Sequence, residues 1–268
     1  MEYISGKKLK KIIKLLKMEP LDYPITLGVL DGTFRGYALV DDTADPAKAL
    51  VFHNYIGFLQ YTGTVPDEHE SREMAEAALA YRSERDYNNV VEFAHCPESV
   101  SEILETELGK IRRYNRISWE HDKNLFYNAP SPKLSDDIAV SYIEREHFIH
   151  EFVRNECEMF WETYEVFLKK VFGTIAHGSD GEFLGVCGAV SDSGGFYEIN
   201  IETSKEHRRK GIGYTLAYEY IKECYRRNGL PHWDCYDYNT ASQNLAEKLG
   251  FRESGRYPLV SWQMDQTS

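Results

Sequence analysis

The segment His207 to Gly213 contains residue types that suit the binding of a phosphate group. It reads HRRKGIG and lies between an alternating apolar and polar run and an amphipathic run, so it joins a predicted strand to a predicted helix. The first N–H groups of a helix have no partner within it and attract an anion. Gly211 and Gly213 let the backbone come close to such an anion. Positive charge is supplied by Arg208, Arg209 and Lys210.

The glycine spacing separates this turn from two commoner phosphate-binding loops. There is no Gly-x-x-x-x-Gly-Lys-Ser/Thr, and Leu216 stands where a Gly-x-Gly-x-x-Gly turn needs its third glycine. The pattern Arg208-x-x-Gly211-x-Gly213 resembles the Q/R-x-x-G-x-G/A pyrophosphate loop of the GNAT (GCN5-related) N-acetyltransferases. Residues 239–251 are similar to the N-x-x-A/S-x-x-L-Y-E-K-L-G-F signature of that family. The resemblance covers roughly residues 136–268.

The resemblance implies acetyl-CoA as the acyl donor, with its diphosphate at residues 208–213, Ile212 included. In this family two central strands splay apart beyond the loop, and the pantetheine arm lies in the opening. The corresponding strands of this chain are residues 196–203 and 233–238. The cofactor contacts implied outside the loop are Ile201, Thr203, Asn239 and Ser242. The side chain of Asn239 is also a helix N-cap by type, and the two roles are compatible.

Acyl transfer to an amine needs a group that takes the proton of the amine. Glu198 and Glu202 share one face of the first strand by two-residue alternation. Asp234, on the second strand, lies where some family members carry an acidic base. For each carboxylate, the alternative is a solvated charge on a half-exposed strand. We predict that one of the three acids is the base, and that Tyr238 is a candidate acid toward the CoA thiolate.

The chain departs from the family signature at one position. Ala246 stands where the family has the tyrosine that usually protonates the departing thiolate. Tyr236, Tyr238 or Tyr257 could take over that role from nearby positions. A thiolate can also leave unassisted, since the pKa of a thiol, about 8.5, is not far from neutral pH. We therefore expect the substitution Ala246→Tyr to leave turnover unreduced.

The length of the chain, 268 residues, favours two domains. The Pro-rich segment 128–132 interrupts the flanking patterns and is the expected linker. Residues 131–268 are the expected acetyltransferase domain, and residues 1–130 a smaller α+β domain or a degenerate copy of the same fold. The predicted fold class is α+β, an α/β sandwich in which helices flank a mixed, mostly antiparallel sheet.

Periodicity predicts the elements of the first half. Residues 7–17 form an amphipathic helix with a basic face, either solvated or lying on a membrane surface. Residues 25–30 and 34–40 form two strands joined by a hairpin turn at 31–33. Further strands are expected at 49–53, 57–61 and 89–94, and helices at 68–85 and 99–108.

The second half is predicted to follow the element order of the family. Besides the two splayed strands, strands are expected at 138–143, 173–177, 183–190, 251–255 and 259–264. Helices are expected at 146–154, 156–171, 212–227 and from Asn239 onward. The long helix ends at an Asn-Gly-Leu-Pro breaker, residues 228–231.

Composition bounds the partners and the location. A net charge of −12 and a sequence pI of about 5.3 argue against binding to nucleic acid or to an anionic membrane, and fit a cationic or amine partner. No secretion signal or membrane span is evident, so a cytoplasmic location is expected. Five scattered cysteines suggest neither disulfides nor a zinc ribbon. No metal is expected, the weak alternative being a site formed by His147, His150, Glu151 and Cys157.

Three functional hypotheses follow from the motifs. The first is an acyl-CoA-dependent N-acyltransferase that moves an acetyl group to a primary amine by direct attack, acting as a monomer or homodimer. The second is a non-catalytic acyl-CoA-binding or regulatory protein, which Ala246 permits. The third is a protein or peptide acetyltransferase whose first half docks the polypeptide. Turnover after cofactor binding would separate the first hypothesis from the second. Acetylation of peptides but not of small amines would favour the third over the first.

Overall fold

The computed structural model of the protein describes residues 1–16, 24–81, 89–161 and 163–263, with the side chains of Glu156 and Cys157 excepted. The chain divides into two compact units, the first made of Met1–Ile117 and Gly255–Ser268, the second of Ser118–Ser254. This division differs from the expected boundary near residue 130. Residues 128–132 lie inside the second unit, and the end of the chain returns to the first because Leu259 to Gln263 pair with Val90 to Ala94.

Twelve strands and eight α-helices follow one another along the described residues. The strands are β1 Glu2–Ser5, β2 Gly36–Val40, β3 Lys48–His53, β4 Phe58–Gly63, β5 Val90–Ala94, β6 Arg112–His121, β7 Ile138–Tyr142, β8 Gly173–Gly178, β9 Phe183–Ser191, β10 Phe196–Thr203, β11 Leu230–Tyr236 and β12 Phe251–Gln263. The α-helices are α1 Pro24–Asp31, α2 Glu68–Ala80, α3 Glu98–Leu108, α4 Lys123–Tyr127, α5 Glu151–Trp161, α6 Tyr164–Lys170, α7 Ile212–Arg226 and α8 Thr240–Lys248. Segments of 3₁₀ helix cover Gly6–Leu15, Arg145–Ile149, Ser193–Gly195 and Lys205–His207.

The first unit contains strands in the order β1-β2-β3-β4-β5-β12, with helices packed against them. Its neighbouring strands are antiparallel except for the parallel pair β4 and β5. Helices α2 and α3 bury Met74 and Leu104 in a core shared with Phe93 of β5. The strands expected at 49–53, 57–61 and 89–94 and the helix at 99–108 are confirmed. The helix expected at 68–85 ends at Ala80, and residues 82–85 lie outside the described part of the chain.

The strand expected at residues 25–30 was wrong, because Pro24–Asp31 is an α-helix. Every residue from Pro24 to Leu30 is buried, so the run has no polar face and its periodicity cannot separate a strand from a buried helix. Proline at the first helical position favours the helix. The expected hairpin turn instead ends α1, where Gly32 has φ +91° and the N–H of Thr33 donates to Asp31 Oδ1 at 2.8 Å.

The lysine-rich helix expected at residues 7–17 is a 3₁₀ helix, Gly6–Leu15, and residue 17 lies outside the described residues. In a 3₁₀ helix, side chains three residues apart lie above one another. Leu9 and Ile12 are buried on one such row. Lys11 and Lys14 belong to a second row, on which Lys11 donates to the carbonyl of Thr43 at 2.9 Å.

The second unit contains a sheet with the strand order β11-β10-β9-β8-β7. Only the pair β10 and β11 is parallel, so the sheet is mixed and mostly antiparallel, as predicted. Helix α7 packs on one face, where Thr174 Oγ1 donates to the carbonyl of Leu216 at 2.9 Å. Helix α5 is held to β9 by Trp161 Nε1, which donates to the carbonyl of Ala189 at 2.9 Å.

Two further expectations for this half are corrected by the structure. The helical run expected at 146–154 divides into the 3₁₀ helix Arg145–Ile149 and α5. The two terminal strands expected at 251–255 and 259–264 are one continuous strand, β12. Residue 162 of the helix expected at 156–171, and residue 264, lie outside the described residues.

Gly250 ends α8 in a backbone conformation that a side chain would strain. Its φ is +89°, and a Cβ there would lie 2.7 Å from the backbone N of Phe126. We expect Gly250→Ala to lower the free energy of unfolding by about 2–4 kcal/mol, because the left-handed conformation and the close contact both oppose a methyl group. Urea denaturation measures this loss. Gly181→Ala is the matched control, since Gly181 has φ +84° but a Cβ there would meet nothing within 4 Å. An equal loss in both variants would contradict the role of the contact.

One buried and one half-buried histidine make stability depend on pH. Burial lowers the pKa of His53 to about 3 and that of His121 to about 4. His121 Nε2 lies 2.9 Å from the carbonyl of Leu249 and its Nδ1 lies 2.5 Å from the hydroxyl of Tyr225, so the neutral ring donates to Leu249 and accepts from Tyr225. The unfolded chain takes up protons below a pKa of about 6.5, whereas these rings stay neutral. Stability is therefore complete above pH 6.5 and is lost as the pH falls toward 4.

We expect each of these histidines to remove up to about 1.4 kcal/mol of stability per pH unit between pH 6 and pH 4.5. The measurement is the unfolding free energy of the wild type and of His121→Gln at both pH values. Carboxylates contribute equally to the two proteins, so the difference in slope reports His121 alone. The same slope in both proteins would contradict the assignment.

Candidate functional site

Strands β10 and β11 form a fork. They pair in parallel only from Phe196↔Leu230 to Glu198↔His232, although β10 continues to Thr203 and β11 to Tyr236. On its other side β10 stays paired with β9 as far as Thr203↔Gly185, with a shift in register between Glu198 and Ile199. The two strands therefore part at Glu198, as the sequence predicted for this pair, and the β10 edge beyond it is not paired with β11.

The loop beyond β10 leads into the N-terminus of α7. Gly211 is its N-cap with φ +83° and ψ −2°, and no side chain of the described residues caps the helix. The first helical N–H bond is made by Thr215, which donates to the carbonyl of Gly211 at 3.0 Å. The N–H groups that precede Thr215 in the first turn of α7 therefore have no acceptor within the helix and can donate to an external group. This arrangement fits the diphosphate group that the sequence predicts.

Glycine is needed at both positions of the turn for different reasons. A Cβ on Gly211 would lie 3.4 Å from the carbonyl oxygen of Lys133, and the positive φ would strain it. Gly213 packs closely, because a Cβ there would lie 3.3 Å from Thr203 Oγ1 and 3.8 Å from Ile201 Cδ1. These two contacts also show that Ile201 and Thr203 face α7.

The end of β10, the loop and the start of α8 border one open cleft of about 1140 Å³. Most of the predicted cofactor residues line it, and Glu202 does as well. They are Ile201, Thr203, Arg208, Arg209, Gly211, Ile212, Gly213, Asn239 and Ser242. Lys210 instead lines a neighbouring cavity of about 460 Å³. The pKa of Asp137 in that cavity is lowered mainly by a hydrogen bond from Ser135, and the charge of Lys210 makes a smaller contribution.

Asn239 and Ser242 also have structural roles at the start of α8. The Oδ1 atom of Asn239 accepts the N–H of Ser242 at 3.2 Å, so Asn239 is the N-cap. The Oγ atom of Ser242 accepts a hydrogen bond from Trp233 Nε1 at 3.0 Å, and this bond connects β11 to α8. Both residues therefore fix one wall of the cleft as well as lining it.

The four predicted catalytic side chains occupy different places. Glu198 is 4% exposed and is the last β10 residue paired with β11, whereas Glu202 is exposed at the end of β10 nearest the loop. Asp234 is half-buried on β11. Tyr238 is 61% exposed and lies beyond β11, which ends at Tyr236 rather than at residue 238 as expected. The structure thus does not bring all four together.

His232 is a residue that the sequence patterns did not single out. It is 5% exposed and lies directly opposite Glu198 at the point where the fork opens. Its Nε2 atom is 3.5 Å from Ser118 Oγ. The sequence shows only that a histidine lies in the strand after the predicted diphosphate loop. The pairing of the two strands is needed to place it opposite Glu198.

Ala246, at the position of the family tyrosine, is fully buried. Its neighbour Leu245 lines the cleft. A tyrosine at position 246 would therefore have to displace core atoms, and the expectation that it leaves turnover unreduced no longer follows. We expect Ala246→Tyr to lower stability by about 1–3 kcal/mol through overpacking. Thermal unfolding of this variant and of Ala241→Tyr, at an exposed cleft position on the same helix, measures the effect. Equal melting temperatures for the two variants would contradict it.

The face of β10 opposite α7 borders a second, small cavity. Asn200 lines it together with Gly188 of β9, Val153 and Phe160 of α5 and Phe167 of α6. A Cβ on Gly188 would meet nothing within 4 Å, so the cavity is open above this residue. By strand alternation Glu198, Asn200 and Glu202 share this face. Asn200 thus borders the small cavity, whereas Glu202 on the same face lines the large cleft.

The described ranges contain neither a metal-binding cluster nor a membrane-spanning helix. No group of three or more His, Cys, Asp or Glu side chains among those residues is arranged to hold a metal ion. Of the weak alternative set, His147 uses its Nδ1 to accept the N–H of Glu144 at 2.8 Å, and the side chain of Cys157 is outside the described part. Of the described helices, none has the length and apolar composition to span a membrane.

Comparison with known proteins agrees with this geometry. The sequence model of the GNAT acetyltransferase family matches residues 14–260, so the chain belongs to the GNAT acetyltransferase family. The match includes most of the first half, which the motifs alone did not reach. The uncharacterized N-acetyltransferase YdfB of Bacillus subtilis is 26% identical over 160 residues, which is 59% of each protein. The chain thus aligns with about three fifths of that relative.

Solved structures share the fold over nearly the whole chain. A GCN5-related N-acetyltransferase-like protein from Streptococcus suis has a TM-score of 0.72 at 20% identity, covering 96% of this chain and all of that protein. A tandem GNAT protein from the clavulanic acid biosynthesis pathway has a TM-score of 0.58 at 10% identity, covering 100% of this chain and 99% of that one. At these identities the likeness concerns the fold alone.

Proposed function

We propose that the protein is an N-acetyltransferase that moves the acetyl group of acetyl-CoA to a primary amine by direct attack. The observation that carries the proposal is that the end of β10, beyond its pairing with β11, borders the same cleft as the glycine-containing N-terminus of α7, which no side chain of the described residues caps. A thioester supplies an activated acyl group and a stable thiolate as leaving group. The residues of this chain would hold acetyl-CoA, orient the amine and remove its proton.

The loop at residues 208–213 would hold the diphosphate. The N–H groups at the start of α7 would donate to its oxygens, and Arg208 and Arg209 supply positive charge from the cleft wall. Arg208 is oriented by its Nε atom, which donates to the carbonyl of Thr203 at 3.3 Å. Lys210 faces the adjacent cavity and would act at longer range.

The pantetheine arm would lie along β10 in the fork. The distance along the strand from Thr203 to Glu198 is roughly 16 Å, at about 3.3 Å per residue. The arm carries two amides, and the β10 edge that β11 leaves unpaired offers N–H and carbonyl groups for them. Asn239, whose Oδ1 accepts from Ser242, keeps its amide N–H groups for the same arm. The reacting carbonyl would then lie near the point where the strands part.

We propose Glu198 rather than Glu202 as the base, because of their positions along β10. Glu202 lies beside the diphosphate end of β10, whereas Glu198 lies at the other end, where the thioester would be. Glu198 would take the proton of the amine, directly or through water. Asp234 and Tyr238 remain predictions with no better argument than their sequence positions, and the thiolate can leave without an acid.

The acceptor would approach from the face of β10 that bears Glu198 and Asn200. The other face is covered by α7, as the contacts of Ile201 and Thr203 with Gly213 indicate. An amine entering beside α5 could therefore reach the fork without crossing the donor. The acidic charge of the chain favours a cationic acceptor.

The experiment is a calorimetric titration with acetyl-CoA and with CoA, followed by measurement of thiol release over a panel of small amines, polyamines, amino sugars and lysine peptides. We expect binding and thiol release with a small amine. Release with peptides alone would support the peptide acetyltransferase instead. Binding without release from any acceptor would support the non-catalytic acyl-CoA-binding protein.

A further inference from the structure

The first unit contains a cleft lined by cationic side chains, although the chain as a whole is strongly acidic. The cleft has a volume of about 550 Å³ and lies between the 3₁₀ helix Gly6–Leu15 and the segment that follows α1. Lys7, Lys10 and Arg35 line it, with Asp31 as its carboxylate. The net charge of the whole chain is −12, so this local excess of positive charge is opposite in sign to the average surface.

Four of the five lysines of the 3₁₀ helix form two pairs, one bound to a neighbouring loop and one lining the cleft. Lys11 and Lys14, three residues apart, are used by the loop between β2 and β3, where Lys14 pairs with Asp45 and Lys11 donates to the carbonyls of Thr43 and Ala44. Lys7 and Lys10 lie on another row of the helix and are exposed. Within the described residues these two make no hydrogen bond or ion pair. Lys7 and Lys10 are therefore available to the cleft, whereas Lys11 and Lys14 support the fold and Lys8 is exposed outside the cleft lining.

The remaining charges of the cleft are held in place. Arg35 donates from Nη1 to the hydroxyl of Tyr55 at 3.2 Å, and its guanidinium lies 5.6 Å from the centre of the same ring. Tyr55 is 4% exposed, so it gives Arg35 a fixed support. Asp31 is turned to its own backbone, where it accepts the N–H of Thr33 at 2.8 Å. A ligand would thus face a positioned guanidinium, and the carboxylate is already engaged.

The other walls are apolar or lack side chains. Leu9, Val29, Leu30 and Phe34 line the cleft. Gly6 and Gly32 line it too, and a Cβ on either would meet no atom of the described residues within 4 Å. The backbone is therefore open to a ligand at two points. The cleft is larger than a single inorganic anion requires and combines anion-binding groups with apolar surface.

We infer that this cleft binds a phosphorylated organic molecule, with the phosphate on Lys7, Lys10 and Arg35 and the organic part against the apolar wall. A guanidinium pairs with two oxygens of a phosphate, and the two ammonium groups add charge without fixed geometry. Such a ligand gives a role to the lysine-rich segment, which acetyl transfer does not use. The same chemistry occurs in a free nucleotide and in a phospholipid headgroup, and the structure favours the free molecule because the cations line a cleft.

The test is a calorimetric titration of the full chain carrying Gly211→Asp, so that the α7 site does not contribute, with ADP and with inorganic pyrophosphate as probes. We expect ADP to bind, and Lys10→Glu in this background to weaken binding at least tenfold. Lys8→Glu is the matched control, because it makes the same change of charge on an exposed residue of the same helix outside the cleft lining. We expect its effect to be less than threefold.

Three outcomes would overturn the proposal. One is the absence of binding by both probes, and another is equal weakening by Lys8→Glu and Lys10→Glu, which would indicate a diffuse surface field. The third is binding to vesicles of phosphatidylglycerol and phosphatidylcholine without binding of ADP, which would favour a membrane surface. None of these measurements uses acetyl transfer, so failure of the proposed enzyme activity would leave the test intact.

Discussion

Gly211→Asp is expected to weaken acetyl-CoA binding at the α7 N-terminus by more than a hundredfold, equivalent to about 2.7 kcal/mol or more. The substituted carboxylate would lie beside the first N–H groups of α7, which are the proposed donors to the diphosphate. It would repel the diphosphate and compete with it for these donors. The measurement is a calorimetric titration with acetyl-CoA. It is made in the Lys10→Glu background, so that the cation-lined cleft of the first unit does not contribute.

Gly211→Asn is the control for this prediction. Asparagine has nearly the same shape as aspartate and tolerates positive φ equally well, so both variants carry the same backbone strain. We expect Gly211→Asn to weaken binding less than tenfold. If the two variants lost affinity equally, the effect would come from shape rather than charge, and the diphosphate assignment would be contradicted.

Glu198→Gln is expected to lower kcat by about a hundred- to a thousandfold while acetyl-CoA affinity changes little. Glutamine retains the shape of the buried side chain at the point where the fork opens but cannot accept a proton. The measurement is steady-state thiol release over a range of pH. In the wild type, kcat should rise with pH as the base loses its proton. Loss of this rise in Glu198→Gln would indicate a role in proton transfer rather than a structural role.

Glu202→Gln is the matched control, since it makes the same change on the same face of β10 at the diphosphate end. We expect its kcat to fall less than threefold. A large loss from Glu202→Gln together with a small loss from Glu198→Gln would reverse the assignment of the base. Unchanged activity in both variants would exclude β10 as its source.

The turn at residues 208–213 and the cap at Asn239 could be predicted because their chemistry is local. Glycines after a strand and a polar cap before a helix act through the backbone within a few residues, and both are found as expected. The resemblance carried by these motifs covered the second half only. The family match from residue 14 depends on weaker similarity spread along the first half, which no short motif concentrates.

The choice of Glu198 over Glu202 as the proposed base could not be made from the sequence, for a geometric reason. Two-residue alternation puts Glu198 and Glu202 on one face and cannot say which lies at the thioester. That choice depends on where β10 and β11 stop pairing, which is a tertiary property. The same holds for His232, whose position opposite Glu198 follows from the register of two strands distant in sequence.

The strand predicted at residues 25–30 was wrong, and the expectation for Ala246→Tyr no longer follows, for a different reason, which is burial on all sides. An apolar run with no exposed face gives the same pattern in a strand and in a buried helix, and α1 is such a helix. Ala246 occupies the position of the family tyrosine in the sequence, but its side chain lies in the core. A motif position gives the residue type that a family uses, whereas the direction of the side chain depends on packing.

Hydrogen–deuterium exchange with and without acetyl-CoA tests the proposed donor site most directly. We predict slower exchange at the first N–H groups of α7 and along β10 beyond Glu198, where the diphosphate and the pantetheine arm would bind. Exchange that is unchanged in both segments at saturating acetyl-CoA, or slower only within residues 6–36 of the first unit, would contradict the assignment of this site.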